Sequence, residues 1–117
     1  MTNAELVAAL CDASVALREA HRVHLRHYGT LVPHVFMADV LRRMGQCLAG
    51  GTANGFTEDA PEMRGILEVI ETGMGEGDRE TRNVIALSFA RDSELEGFFA
   101  QLAPMMGPLT RAQLAGH

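Results

Sequence analysis

Leu6, Leu10, Ala13, Leu17, Ala20 and His24 recur every three or four residues, with Val7 and Cys11 beside them. This is the period of one helical face, and no Gly or Pro interrupts residues 3–27, so the pattern predicts one long first helix. Thr2 or Asn3 is suited to cap its start, and Gly29, able to adopt the left-handed conformation, to end it. Pro33 then opens a second helix at a position where its missing N–H costs nothing. Met37, Val40, Leu41, Met44 and Leu48 mark its inner face, with Phe36 and Cys47 alongside. Residues 49–55, rich in Gly, Ala and Thr with Asn54, read as a loop.

Asp59, Pro61 and Glu62 carry the features of a helix start, and Met63, Ile66, Leu67, Ile70 and Met74 form one apolar face behind them. Gly73, Gly75 and Gly77 are expected to break this third helix near Thr72. Asp78 is placed to cap a fourth helix running to about Arg91, with Val84, Ile85 and Ser88 or Phe89 inward. A second capping signal at residues 92–96 opens a fifth helix with Leu95, Phe98, Phe99 and Leu102 inward, closed before Pro104. Pro108 to Leu114 add a final turn or two. No segment alternates with period two, so no sheet is expected. The prediction is an all-α, compact bundle of about five helices in one domain spanning residues 1–117, its helices able to stack as antiparallel hairpins.

Composition narrows the function classes. With 117 residues and 47% apolar content the chain can bury one core, and no apolar run approaches the roughly 20 residues of a membrane span. Residues 1–5 lack a basic segment leading into an apolar one, which predicts a cytoplasmic protein. In that compartment Cys11 and Cys47, both among apolar helical positions, are expected to be reduced core thiols. All ten basic residues are arginine, which removes lysine Schiff-base chemistry and, with abundant Ala and Gly, suggests a GC-rich bacterial genome.

The charge is uneven: five arginines face four acids in residues 1–57, but five face eleven in residues 58–117. A polyanion needs clustered cations, so nucleic acid is a poor partner; a basic protein suits the second half. Glu68, Glu71, Glu76, Asp78, Glu80, Glu94 and Glu96 are the candidate partner-binding residues. They occur on polar helix faces and glycine-rich turns, where nothing raises a carboxyl pKa for acid–base work. Gly73, Gly75 and Gly77 do not make a phosphate loop, lacking a preceding strand and a lysine. No nucleophile elbow, HExxH helix, calcium loop or Cys-x-x-Cys pair occurs, so no catalytic residue and no cofactor is assigned.

His21, His24 and His27 form the one cluster that invites a metal or acid–base reading, with His34 and Asp39 able to approach from the second helix. Recognisable zinc spacings are absent, and the favoured reading buries His24 partly and leaves the others at a helix edge. Arg18, Arg22 and Arg26 make a basic strip on the first helix, extended by Arg42 and Arg43 on the second, without the interleaved aromatics of base stacking. Met105 and Met106 read as core or as an adaptable apolar surface.

Two segments, Leu31-Val32-Pro33-His34-Val35-Phe36-Met37-Ala38-Asp39 and Asn83-Val84-Ile85-Ala86-Leu87-Ser88-Phe89, resemble a family of small bacterial proteins related in style to the immunity proteins of toxin systems. The resemblance implies an all-helical fold and a protein-binding role, and transfers no catalytic residue. The expectation is therefore an immunity-type or antitoxin-like module whose acidic second half covers a basic toxin. The alternatives are a metal-binding protein or enzyme built on His21, His24 and His27, and a structural homodimer.

Overall fold

The N-terminal apolar stripe is carried by two helices where the spacing predicts one. The computed structural model describes residues 1–48, 61–90 and 106–115. Helices α1 (Asn3–Ala13) and α2 (Val15–Tyr28) meet at Ser14, whose backbone is extended at φ −149° and ψ 123°. A serine hydroxyl competes for backbone groups and so favours caps over helix interiors. Here Ser14 Oγ accepts the Leu17 N–H at 3.2 Å, capping α2, and donates to Glu62 Oε2 at 2.9 Å on α4. The Arg18 guanidinium donates back to the Cys11 carbonyl at 3.3 Å, satisfying an orphan acceptor at the end of α1. The buried stripe survives the break, with Leu6, Val7, Leu10 and Cys11 inward on α1 and Leu17, Ala20 and His24 on α2.

The outer ends follow the sequence signals. Thr2 and Glu5 form a reciprocal capping box on α1, and Gly29, at φ 77°, closes α2 with its N–H on the Leu25 carbonyl at 2.8 Å. Helix α3 (Pro33–Leu48) starts at the predicted proline and buries Phe36, Met37, Val40, Leu41 and Met44.

Helix α4 (Pro61–Glu76) does not stop at Thr72 but runs through Gly73 and Gly75. Gly73 lies at a close helix contact, where an added Cβ would sit 2.7 Å from Ile85 Cδ1 and 3.3 Å from Leu6 Cδ1. Glycine is kept there for proximity rather than for a turn. The chain turns instead at Gly77, whose N–H bonds the Gly73 carbonyl at 2.9 Å. Asp78 then caps α5 (Arg79–Val84) as expected, its Oδ1 accepting the Thr81 N–H at 2.8 Å. α5 widens into a π-helical stretch (Ile85–Ala90), and α6 (Pro108–Ala115) closes the described chain. The loop at residues 49–55, the Asp59 cap, the fifth helix predicted after Asp92, and Met105 lie outside the described residues, as do the side chains of Cys47, Leu48, Ser88 and Phe89.

The protein is an all-α bundle, and no strand occurs among the described residues. α1 packs against α2, α4 and α5; the π-helical stretch packs against α3, α4 and α6; and α6 also lies on α4. One continuous cluster joins them, with Leu10, Leu17, Phe36, Met44, Ile66, Ile70 and Ile85 fully buried within it. Among the described residues no helix is long and apolar enough to cross a membrane.

Candidate binding surfaces

The histidines of α2 pack against Phe36 and Tyr28. His24 is buried, and its Nε2 accepts the Val32 N–H at 3.0 Å, which fixes a neutral ring and ties the turn after α2 to the helix. Its ring meets Phe36 edge-on, centroids 5.7 Å apart, and Tyr28 at 4.7 Å. His21 packs on the same Phe36 at 5.6 Å, while His27 turns to Tyr28 at 4.6 Å. Asp39 borders the same cleft as His24 and His27, but its carboxylate is paired with Arg42 and with Arg43 Nε, the latter at 3.0 Å. His24 thus spends the nitrogen a metal would need. No three His, Cys, Asp or Glu side chains converge as a metal set among the described residues.

Burial, followed by the neighbouring His21 and His27, holds the His24 pKa below the ordinary 6.5. The folded state therefore binds a proton less readily than the unfolded chain does. Its contribution is complete above the ordinary value and is lost as the pH falls from there through the lowered folded value. Thermal melts across this range should show the wild type losing stability on acidification with a steeper slope than His24→Gln. Parallel profiles for the two proteins would rule out this role.

Cys11 is buried and free, its Sγ 3.8 Å from the Leu17 carbonyl. Desolvation pushes its thiol pKa up, against the pull of Arg18. That is the setting of an inert core thiol rather than a nucleophile.

The basic strip on α2 is already divided among partners, with Arg18 on the Cys11 carbonyl and Arg22 on Glu19. A different feature emerges between α2 and α3, a cleft of about 260 Å³. Val23, Tyr28 and Val35 give it an apolar wall, and His27 with the Asp39, Arg42 and Arg43 group gives it a polar end. Three of the exposed large apolar side chains, Val23, Tyr28 and Val35, line it, whereas Val15, Leu25, Leu87 and Leu109 are exposed outside its lining. Periodicity marks the buried stripe, and these residues lie off it.

The seven acids fall into three groups. Glu68, Glu76 and Glu80 are exposed on α4 and α5. Asp78 and Glu71 are committed within the chain. Asp78 caps α5, and the Thr81 amide above all holds its pKa down. Glu71 reaches α6, its Oε2 accepting Leu109 N–H and its Oε1 accepting Thr110 N–H and Oγ1–H, each at 2.9 Å. Glu94 and Glu96 lie outside the described residues. No family model, curated protein or solved structure matches the chain.

Proposed function

We propose that the chain is a protein-interaction module that binds a basic partner protein through its acidic second half, in its narrower form as an immunity-type or antitoxin-like inhibitor. One observation carries this reading. The ion pairs among the described residues all lie on α2 and α3, joining Glu19 to Arg22 and Asp39 to Arg42 and Arg43. Glu68, Glu76 and Glu80 enter none of them and keep their charge for an incoming cation. Arg64, Arg79 and Arg82 are exposed on the same two helices. The surface is therefore a mosaic, and a fitting partner must set its cations over those glutamates while avoiding the arginines, which gives selectivity as well as attraction. The narrower form rests on the resemblance of residues 31–39 and 83–89 to immunity-like proteins. It places the protein in the bacterial cytoplasm, where Cys11 stays reduced.

The test is affinity capture from the native host with the wild type and with a Glu68→Lys, Glu76→Lys, Glu80→Lys triple variant shown by circular dichroism to be folded. The wild type should retain a basic protein, released by salt, and the variant should bind it at least about tenfold more weakly. Equal retention by both proteins, or no partner on the wild type, would sink the reading. If the partner is an enzyme, its inhibition by the wild type alone supports the inhibitor form.

A further inference from the structure

The cleft between α2 and α3 has the opposite chemistry to the surface just described. Helices α2 and α3 carry Arg18, Arg22, Arg26, Arg42 and Arg43 against two acids, Glu19 and Asp39, both already ion-paired. Asp39 lies under the Arg42 and Arg43 pair and orients it. One carboxylate cannot saturate two guanidinium groups, each of which presents five N–H donors. The Arg42 side chain is 66% exposed, so much of its donor fork faces solvent beside the cleft. Next to these donors stand the exposed Val23, Tyr28 and Val35. Arginine and tyrosine beside an apolar wall are the residue types that concentrate binding energy at protein interfaces.

Size limits the occupant. A volume of about 260 Å³ lies below the roughly 300–1,000 Å³ of small-molecule and cofactor sites, and suits one or two side chains of a bound segment. Charge limits it further. Two guanidinium groups flanking a carboxylate, on a chain of net charge −5, do not form the extended cationic track a nucleic acid requires. A single carboxylate next to an apolar side chain meets both limits.

We propose that this cleft is a second recognition site, which takes an acidic segment of a partner protein with its carboxylate on Arg42 and Arg43 and an adjacent apolar side chain against Val23, Tyr28 and Val35. Asp39 acts as a positioning residue that holds the two guanidinium groups together. The site stands independently of the acidic surface, because it lies on other helices and selects a partner of opposite charge.

Tyr28 supplies the readout. The chain has one tyrosine and no tryptophan, so intrinsic fluorescence reports from the cleft wall. Selection of a random-peptide display library on the full chain should enrich sequences that place Asp or Glu next to a Leu, Val or aromatic residue. Titration of an enriched peptide should then change Tyr28 emission saturably. Arg42→Glu should weaken that peptide by about tenfold or more, and Val23→Ser by a smaller factor, both proteins remaining folded by circular dichroism. Arg79→Glu on α5 should leave it unchanged. Absence of enrichment, enrichment of basic sequences, or unaltered binding to Arg42→Glu each overturns the assignment. So does a single-stranded oligonucleotide that reproduces the fluorescence change and its loss in Arg42→Glu, which would mark the cleft as a nucleic-acid site.

Discussion

Phe36→Ala is expected to cost the fold about 3–5 kcal/mol and to lower the melting temperature by about 10–20 °C. The phenyl ring is fully buried, near the start of α3, and it receives the edges of both His21 and His24 from α2. Truncation removes the transfer free energy of the ring and leaves a cavity. His24, one wall of that cavity, is fixed by the Val32 amide and so resists collapsing into it. Because a domain of this size is stable by only about 5–15 kcal/mol, such a loss is a large share of the whole. Urea denaturation followed by circular dichroism reads it directly. Val15→Ala is the control, since Val15 is 70% exposed and its truncation should stay within about 0.5 kcal/mol. A Phe36→Ala loss below about 1 kcal/mol would show that the α2–α3 contact relaxes freely and is not part of the cooperative core.

The apolar faces and caps were legible in the sequence because they depend on neighbours a few residues away. Leu6 and Leu10, Met37 to Met44, and Met63 to Ile70 point inward as their spacing requires. Thr2, Gly29, Pro33 and Asp78 begin or end helices for reasons of local conformation and hydrogen bonding. Ser14 and Gly73 depart from the pattern for different reasons. Ser14 sits where the period continues unbroken, so nothing in the pattern announces the break. The serine is itself a local cap, its Oγ accepting the Leu17 N–H, and the Glu62 carboxylate on α4 adds a distant partner. Gly73 fails in the opposite direction. Local propensity marks it as a breaker, yet the approach of Ile85 and Leu6 keeps it inside a helix. At Gly73 a tertiary contact overrides the local preference, whereas at Ser14 the local preference for a cap prevails over the continuous apolar period.

The surfaces were less legible than the fold. Counting acids separates the two halves of the chain but cannot tell a free carboxylate from an engaged one. Glu68, Glu76 and Glu80 have the same character in sequence as Glu71, whose partners are 38 and 39 residues away. The histidine cluster misleads similarly. Three-residue spacing suggests convergence, whereas the packing of Phe36, Tyr28 and the Val32 amide gives each ring its own role. The α2–α3 cleft, made from two separated segments, has no local signature at all.

Glu71→Ala is expected to loosen α6 from α4 at a cost of about 2 kcal/mol, the scale of a lost helix cap that is also a charged acceptor. The carboxylate accepts two amides and a hydroxyl in the first turn of α6, where orphan donors and the helix dipole both favour an anion. Gly107 permits the approach, since an added Cβ there would lie 2.3 Å from Glu71 Cδ. Burial pushes the Glu71 pKa up, but the Leu109 and Thr110 amides, the Thr110 hydroxyl and Arg111 together outweigh it and hold it below the ordinary 4.5. A depressed carboxyl contributes in full above the ordinary value, and its contribution is lost as the pH falls through the folded value. Glu71→Gln keeps one acceptor oxygen but no charge, so it should cost less than Glu71→Ala at neutral pH and flatten the acid side of the stability curve. Hydrogen exchange localises the effect, with the Leu109 and Thr110 amides losing protection first in Glu71→Ala. Protection there equal to the wild type would refute the cap. Glu71 is thus a poor residue on which to test the acidic binding surface, because its loss would disturb α6 and mimic a lost contact, which Glu68, Glu76 and Glu80 should not do.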